Sequence, residues 1–252
     1  MKTIYRLAVV MTAATALLAL SIPVQASTID SRIESTARNS YVFKTFLQDD
    51  DVKIESREGD VTLTGIVADN FNKSLAQETL AGIPGVKSVD NKLEIKGELP
   101  TTNSDAWIRS KVKSTLLFHR SVYASTTAVE VKDGIVTLRG YAASLAQKDL
   151  TAEYAKDVEG VKDVKNEMTV AKTSKKTQTV GEKIDDASIT AQVKMTLLYH
   201  RSTSAINTKV ETKDGEVTLY GKASSDAEKD LATKYANDVN GVKGIKNRMT
   251  IE

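Results

Sequence analysis

The stretch Thr127-Ala128-Val129-Glu130-Val131-Lys132-Asp133-Gly134-Ile135-Val136-Thr137-Leu138-Arg139-Gly140 decides the fold. Apolar and polar residues alternate from Thr127 to Val131 and again through Val136 and Leu138, the period of two that lines one face of a strand. Between the two runs sits Asp133-Gly134, residue types that tolerate the positive φ a tight hairpin demands. Upstream, Ile108, Val112, Thr115 and Leu116 recur at helical spacing, with Asp105 as the expected N-cap. Downstream, Ser144 is placed to cap a second helix carrying Leu150, Tyr154, Ala155 and Val158. A third strand follows Gly160 and carries Val164, Met168 and Val170. The order is αββαβ, and it predicts an α+β unit: a small mixed sheet covered on one face by two helices.

The unit is written three times. Asp105–Val170 aligns with Asp186–Ile251 without a gap, and 39 of 66 positions are identical. Thr115-Leu116-Leu117-Phe118-His119-Arg120-Ser121 becomes Thr196-Leu197-Leu198-Tyr199-His200-Arg201-Ser202 in the later copy. Asp30–Ile95 fits the same frame with fewer identities. Gly59, Gly134 and Gly215 correspond and are read as structural turn residues, as are Gly65, Gly140 and Gly221. Asn91, Asn166 and Asn247 complete the register; strand parity aims them at the core, where a structural hydrogen bond is the favoured role. The repeat divides the chain into units at 27–97, 105–171 and 185–252, with connectors at 98–104 and 172–184. The second connector is rich in lysine, which predicts flexible tethering of separately folded beads.

This order, with a recurring hairpin glycine and Gly-Val ahead of the third strand, resembles the BON domain. Val131–Gly140 and Gly160–Asn166 carry the resemblance most clearly. Three copies behind an export signal resemble exported proteins of the osmotically inducible periplasmic protein Y type. The resemblance implies a Gram-negative periplasmic, non-enzymatic module tied to osmotic or envelope stress, to phospholipid association and to chaperoning of exported proteins. The first copy lacks the Leu-Leu-x-His-Arg run and carries Asp49-Asp50-Asp51, so lipid contact is not expected of that copy.

Residues 1–26 have the form of a cleavable leader: Lys2 and Arg6, an apolar run from Leu7 to Leu20, a helix-breaking Pro23 and small residues ending at Ala26. Cleavage after Ala26 removes two of 35 basic residues and none of 33 acidic ones, leaving a balanced mature chain, 33 against 33. A field that would draw nucleic acid is therefore missing, and nucleic acid is not an expected partner. Absence of cysteine excludes disulfides, thiolate metal sites and cysteine nucleophiles, and two histidines leave little for metal or acid–base schemes. Hydrolase, zincin and nucleotide-loop motifs are all missing. The expectation is no enzyme, no cofactor and no metal. His119 and His200, at equivalent helix ends, are read as C-terminal caps where a cation is favoured.

One helix stands apart. Trp107 is the single tryptophan, and its counterparts are Arg32 and Ser188, so the position is not a core site. It lies roughly 120° from the Ile108/Val112/Leu116 stripe on a helical wheel. Arg109, Lys111, Lys113 and Arg120 against Asp105 leave a net +3 over residues 105–120. An indole among lysines suits a membrane interface. Trp107, Arg109, Lys111, Lys113 and Phe118 are thus the candidate contacts for an anionic phospholipid surface. Two readings of Trp107 stay open: a lipid-facing ring, or one packed against a neighbouring unit. The competing function is a soluble periplasmic chaperone that binds partly folded exported clients.

Overall fold

A computed structural model describes residues 23–97, 100–170, 183–203 and 208–252. Of the leader at 1–26 only the last four residues fall within it, and most of the connector at 172–184 lies outside the described residues. Pro23 is the first residue of a helix, a position where the missing N–H costs nothing; the apolar run ahead of it lies outside the described residues.

The first unit contains α1 (Pro23–Asn39), α2 (Tyr41–Thr45), β1 (Asp51–Arg57), β2 (Asp60–Val67), α3 (Asn70–Ala81) and β3 (Ser88–Ile95). The second contains α4 (Asp105–Phe118), β4 (Thr127–Lys132), β5 (Ile135–Ala142), α5 (Leu145–Lys156), β6 (Asp163–Asn166) and β7 (Thr169–Val170). The third contains α6 (Asp186–Tyr199), β8 (Lys209–Lys213), β9 (Glu216–Tyr220), β10 (Lys222–Ala223), α7 (Asp226–Asn237), β11 (Gly244–Asn247) and β12 (Thr250–Ile251). In each, the hairpin is antiparallel and the last strand pairs parallel to the hairpin's second strand, which is central. The α+β reading of three repeated mixed sheets with their helices is what the chain adopts.

The hairpin turns are left-handed at both central positions, with Asp133 at φ 55° and Gly134 at φ 82°. Asp105 is not the N-cap of α4. Ser104 takes that place, accepting from the Trp107 N–H, while the Asp105 carboxylate accepts from the turn amides of Asp133 and Gly134, both at 2.8 Å. Asp30 and Asp186 clamp the equivalent turns. Those turn bonds hold the Asp105 carboxyl below its usual range.

Gly140 is not a turn residue. It lies inside β5 at φ 126°, and a Cβ there would stand 2.0 Å from the Thr126 carbonyl oxygen. Gly65 shares this setting inside β2, where a Cβ would stand 1.9 Å from the Asp51 carbonyl oxygen, whereas Gly221, at φ 128°, lies between β9 and β10. The recurring asparagines make structural bonds: Asn166 donates to the Lys148 carbonyl of α5 at 2.7 Å and accepts from the Met168 N–H. The same pair of bonds recurs at Asn91 and Asn247, tying the last strand to the second helix.

The units are not separate beads. Ile108, Val112, Leu116 and Leu138 of the second unit share one continuous core with Ile189, Val193, Leu197 and Leu219 of the third. Helix α6 is the hub: Ala187, Ala191 and Met195, on another side of it, enter the core of the first unit together with Phe118. Polar contacts follow the same path. The Asp185 carboxylate caps α6 and also accepts from the Tyr41 N–H at the start of α2. Lys194 pairs with Glu78 at 2.7 Å. Alternation and helical spacing identify each unit's inner face; they carry no information about a helix such as α6 that is buried nearly all round.

Candidate functional site: the outer face of α4 and the junction at its end

Along α4 the buried stripe of Ile108, Val112 and Leu116 fixes which residues face out. Arg109, Lys113 and Leu117 follow one another at intervals of four on the exposed side. Neither Arg109 nor Lys113 has an ion-pair partner within 4.0 Å among the described residues. Trp107 is half-buried against the core shared by the second and third units. Lys111 is already engaged: its ammonium lies 4.0 Å from the centre of the Trp107 ring and 3.1 Å from the Glu159 carboxylate. With 18% of its side chain exposed, it is not a free surface cation.

Phe118 is a correction to the lipid-contact set. It is 1% exposed, with its ring 5.3 Å from both Phe46 and Phe71 of the first unit. The helical wheel left this flank of α4 open; the first unit docks on it.

At the C-terminal end of α4 the chain turns extended at His119, and the end of α6 does the same at His200. Each extended segment reaches into the other unit. The Arg120 N–H donates to the Asp238 carbonyl at 2.8 Å, and the Arg201 N–H donates to the Asp157 carbonyl at 2.9 Å. Side chains repeat the exchange. The hydroxyls of Ser121 and Tyr154 donate to the Asp238 carboxylate, and those of Ser202 and Tyr235 donate to Asp157. On the axis between the units the His119 and His200 Nε2 atoms stand 3.1 Å apart. His119 stacks on Tyr154 at 3.8 Å and His200 on Tyr235 at 3.9 Å. The second and third units thus meet as an approximate twofold pair.

The histidines are therefore not solvated cationic caps. His119 is 1% and His200 0% exposed. Burial lowers the pKa of His119 from 6.5, with the Asp238 carboxylate opposing the shift only in part. Burial acts to raise the pKa of Asp238, but the His119 ring 3.2 Å away and hydrogen bonds from Ser121 and Tyr154 outweigh it and hold the carboxyl below its usual range. Asp157 is held down in the same way by His200, Ser202 and Tyr235. The tyrosine hydroxyls, desolvated and facing carboxylates, are pushed well above their ordinary value. Chemically the junction is a proton-rich polar knot. Among the described residues no three histidine, aspartate or glutamate side chains are grouped to hold a metal ion.

Sequence reasoning missed this junction, although a signal was present. His, Arg, Ser, Tyr and Asp recur at matching places in the second and third units. The first unit has Lys44, Thr45, Phe46, Thr79 and Gly82 there. Polar residues common to two copies and lost together from the third are what a contact between those two copies would leave.

Three αββαβ modules, each with an aspartate-clamped hairpin and a parallel closing strand, define a tandem-repeat protein of small α+β domains. The BON domain family model matches residues 29–97, 104–172 and 185–252, and the chain belongs to that family. It is 35% identical over 143 residues to the osmotically-inducible protein Y of Escherichia coli, a match covering 57% of this chain and 70% of that protein. It is 32% identical over 113 residues to the outer membrane lipoprotein DolP of Haemophilus influenzae, covering 45% of this chain and 56% of that one. A solved structure of CdsD, a structural protein of the type III secretion system of Chlamydia trachomatis, overlaps 87% of this chain and 90% of its own at 18% identity. The TM-score of that overlap is 0.24.

Proposed function

We propose that this chain is an exported, non-catalytic envelope protein of the Gram-negative periplasm that associates with anionic phospholipid surfaces through α4 of its second unit during osmotic or envelope stress. The observation that carries the reading is the outer row of α4: Arg109 and Lys113, exposed and outside any ion pair among the described residues, continue into exposed Leu117 beside the half-buried Trp107. The leader-like residues 1–26 and kinship with a protein named as an outer membrane lipoprotein support the location. No described helix is long and apolar enough to cross a membrane, so contact would be peripheral.

Each cation contributes up to about 1 kcal/mol near an anionic surface, and the effect fades within about 8–10 Å. With two exposed cations and part of an indole, binding is reversible and salt-sensitive. The test is co-sedimentation of the protein lacking residues 1–26 with anionic and with neutral liposomes, at low and high salt. Anionic liposomes should pull it down at low salt only. Arg109→Glu/Lys113→Glu should abolish this and Trp107→Ala should weaken it, whereas Lys172→Glu/Lys175→Glu should matter less. Unchanged binding by the Arg109→Glu/Lys113→Glu variant, its fold confirmed by circular dichroism, would reject α4 as the contact.

A second reading, a soluble periplasmic chaperone, is favoured by exposed apolar side chains at one end of the second unit. Tyr141, Leu145 and Val170 are 66%, 64% and 42% exposed. Indifference to liposomes together with suppressed aggregation of an unfolded client, lost in Tyr141→Ser/Leu145→Ser, would favour this alternative.

A further inference from the structure

We propose that the His119–His200 pair is a proton-gated latch: docked, it holds one proton on the axis between the two rings, and a second axial proton drives the second and third units apart. The Nε2 atoms are 3.1 Å apart, a hydrogen-bond distance, so one nitrogen must donate and the other accept. With no axial proton two lone pairs face each other; with two, a pair of N–H bonds collide.

The rings have nowhere to slide. Both are buried, each is stacked on a tyrosine of its own unit, and each outer nitrogen faces a carboxylate of the other unit. His200 Nδ1 is 3.1 Å from the Asp157 Oδ2, and His119 Nδ1 is 3.2 Å from the Asp238 Oδ2. The docked pair therefore accommodates three protons at most, two on the outer nitrogens and one between the rings. That is a single imidazolium charge shared by two rings.

The charged and titratable groups facing the pair come from all the elements that meet there. Beyond α4 and α6 lie Arg120 and Arg201, 3.8 Å and 3.6 Å from Asp238 and Asp157. Helix α5 brings Tyr154 and the more distant Glu153, and α7 brings Tyr235. Both carboxylates already accept from a serine and a tyrosine and stand in an ion pair with an arginine, so the fourth proton is opposed there too.

Separated rings in water take up that fourth proton with an ordinary pKa near 6.5. Below that value the separated state binds more protons than the docked one, so acidification favours separation. The depressed pKa of His119 has the same sign. Separation uncovers Val158 and Val239, both wholly buried in the docked form, and the faces of Tyr154 and Tyr235. The first unit, with Lys44 at the histidine position, has no part in the latch.

The full chain has two histidines and no cysteine, which makes the test clean. Labels at Lys132→Cys and Lys213→Cys, on exposed residues of the two units, report their distance. Imidazole 15N–1H correlation spectra report which nitrogens carry protons. From about pH 8 to about pH 4.5, one Nε2 should be protonated and the other bare until the inter-label distance changes. Full protonation of both rings should coincide with that change. His119→Gln/His200→Gln, similarly labelled, should keep one distance throughout. Full protonation of both rings at unchanged distance overturns the proposal, as does an unchanged distance down to pH 4.5, or the same acid-induced change in the double glutamine variant. Should that variant fail to fold, the unsubstituted rings and distance decide alone.

Discussion

Replacing Asp238 by alanine removes the acceptor on which one half of the inter-unit exchange converges. The hydroxyl of Tyr154, a residue 3% exposed, loses its carboxylate at 2.7 Å, as does that of Ser121. A buried hydroxyl left without a partner costs about 1–3 kcal/mol, and a half-exposed one less. Arg120, with 43% of its side chain exposed, adds little. The sum is about 2–4 kcal/mol, a large part of the roughly 5–15 kcal/mol that holds a domain folded. Urea unfolding followed by far-UV circular dichroism should show this for Asp238→Ala and again for Asp157→Ala. Because both substitutions open the same junction, the double variant should lose less than the sum, with a coupling of about 0.5–3 kcal/mol. A cost below about 0.5 kcal/mol for Asp238→Ala, or strict additivity in the double variant, would refute the reciprocal junction; both thresholds lie outside the spread expected for groups in contact. Both carboxyls titrate below 3.8 in the folded state, so their contribution is present above that value and is lost as pH falls through the depressed pKa. Acid weakening of the junction then has two stages, imidazole first and carboxylate later.

Further outcomes follow from single positions. Gly140→Ala places a Cβ 2.0 Å from the Thr126 oxygen at φ 126°, and should destabilise the chain by about 3 kcal/mol or more in thermal melts. Phe118→Ala empties the aromatic cluster against Phe46 and Phe71 and should cost about 3–5 kcal/mol, with faster limited proteolysis of the first unit and unchanged liposome binding. Asp105→Asn should speed amide exchange at Asp133 and Gly134, which its carboxylate now holds.

What could be read from the sequence was whatever repeats within one unit. The Asp133-Gly134 turn, the alternation around it and the asparagine of the third strand are local devices, and each imposes its geometry within a few residues or across one small sheet. Helical spacing identified the inner face of α4 but could not say what lay against its flank, so Phe118 looked exposed while the first unit covered it. Asp105 had the composition of a cap, yet Ser104, one residue earlier, has the extended backbone a cap needs, freeing the carboxylate for the hairpin. The junction escaped because its partners sit far apart: Ser121 and Asp238 are 117 positions distant, and no periodicity links them. Only comparison of which polar residues two units share and the third lacks points to it.

The second and third units form one body, and the amides of Arg120 and Arg201 test this most directly. Each donates its N–H to a carbonyl of the other unit, at 2.8 and 2.9 Å, in a segment outside any helix or sheet. Hydrogen exchange of the full-length chain near neutral pH, followed by NMR, should find both amides protected to a degree comparable with the core strands β5 and β9. Exchange of both within the dead time, with β5 and β9 still protected, would mean that the units fold but do not dock.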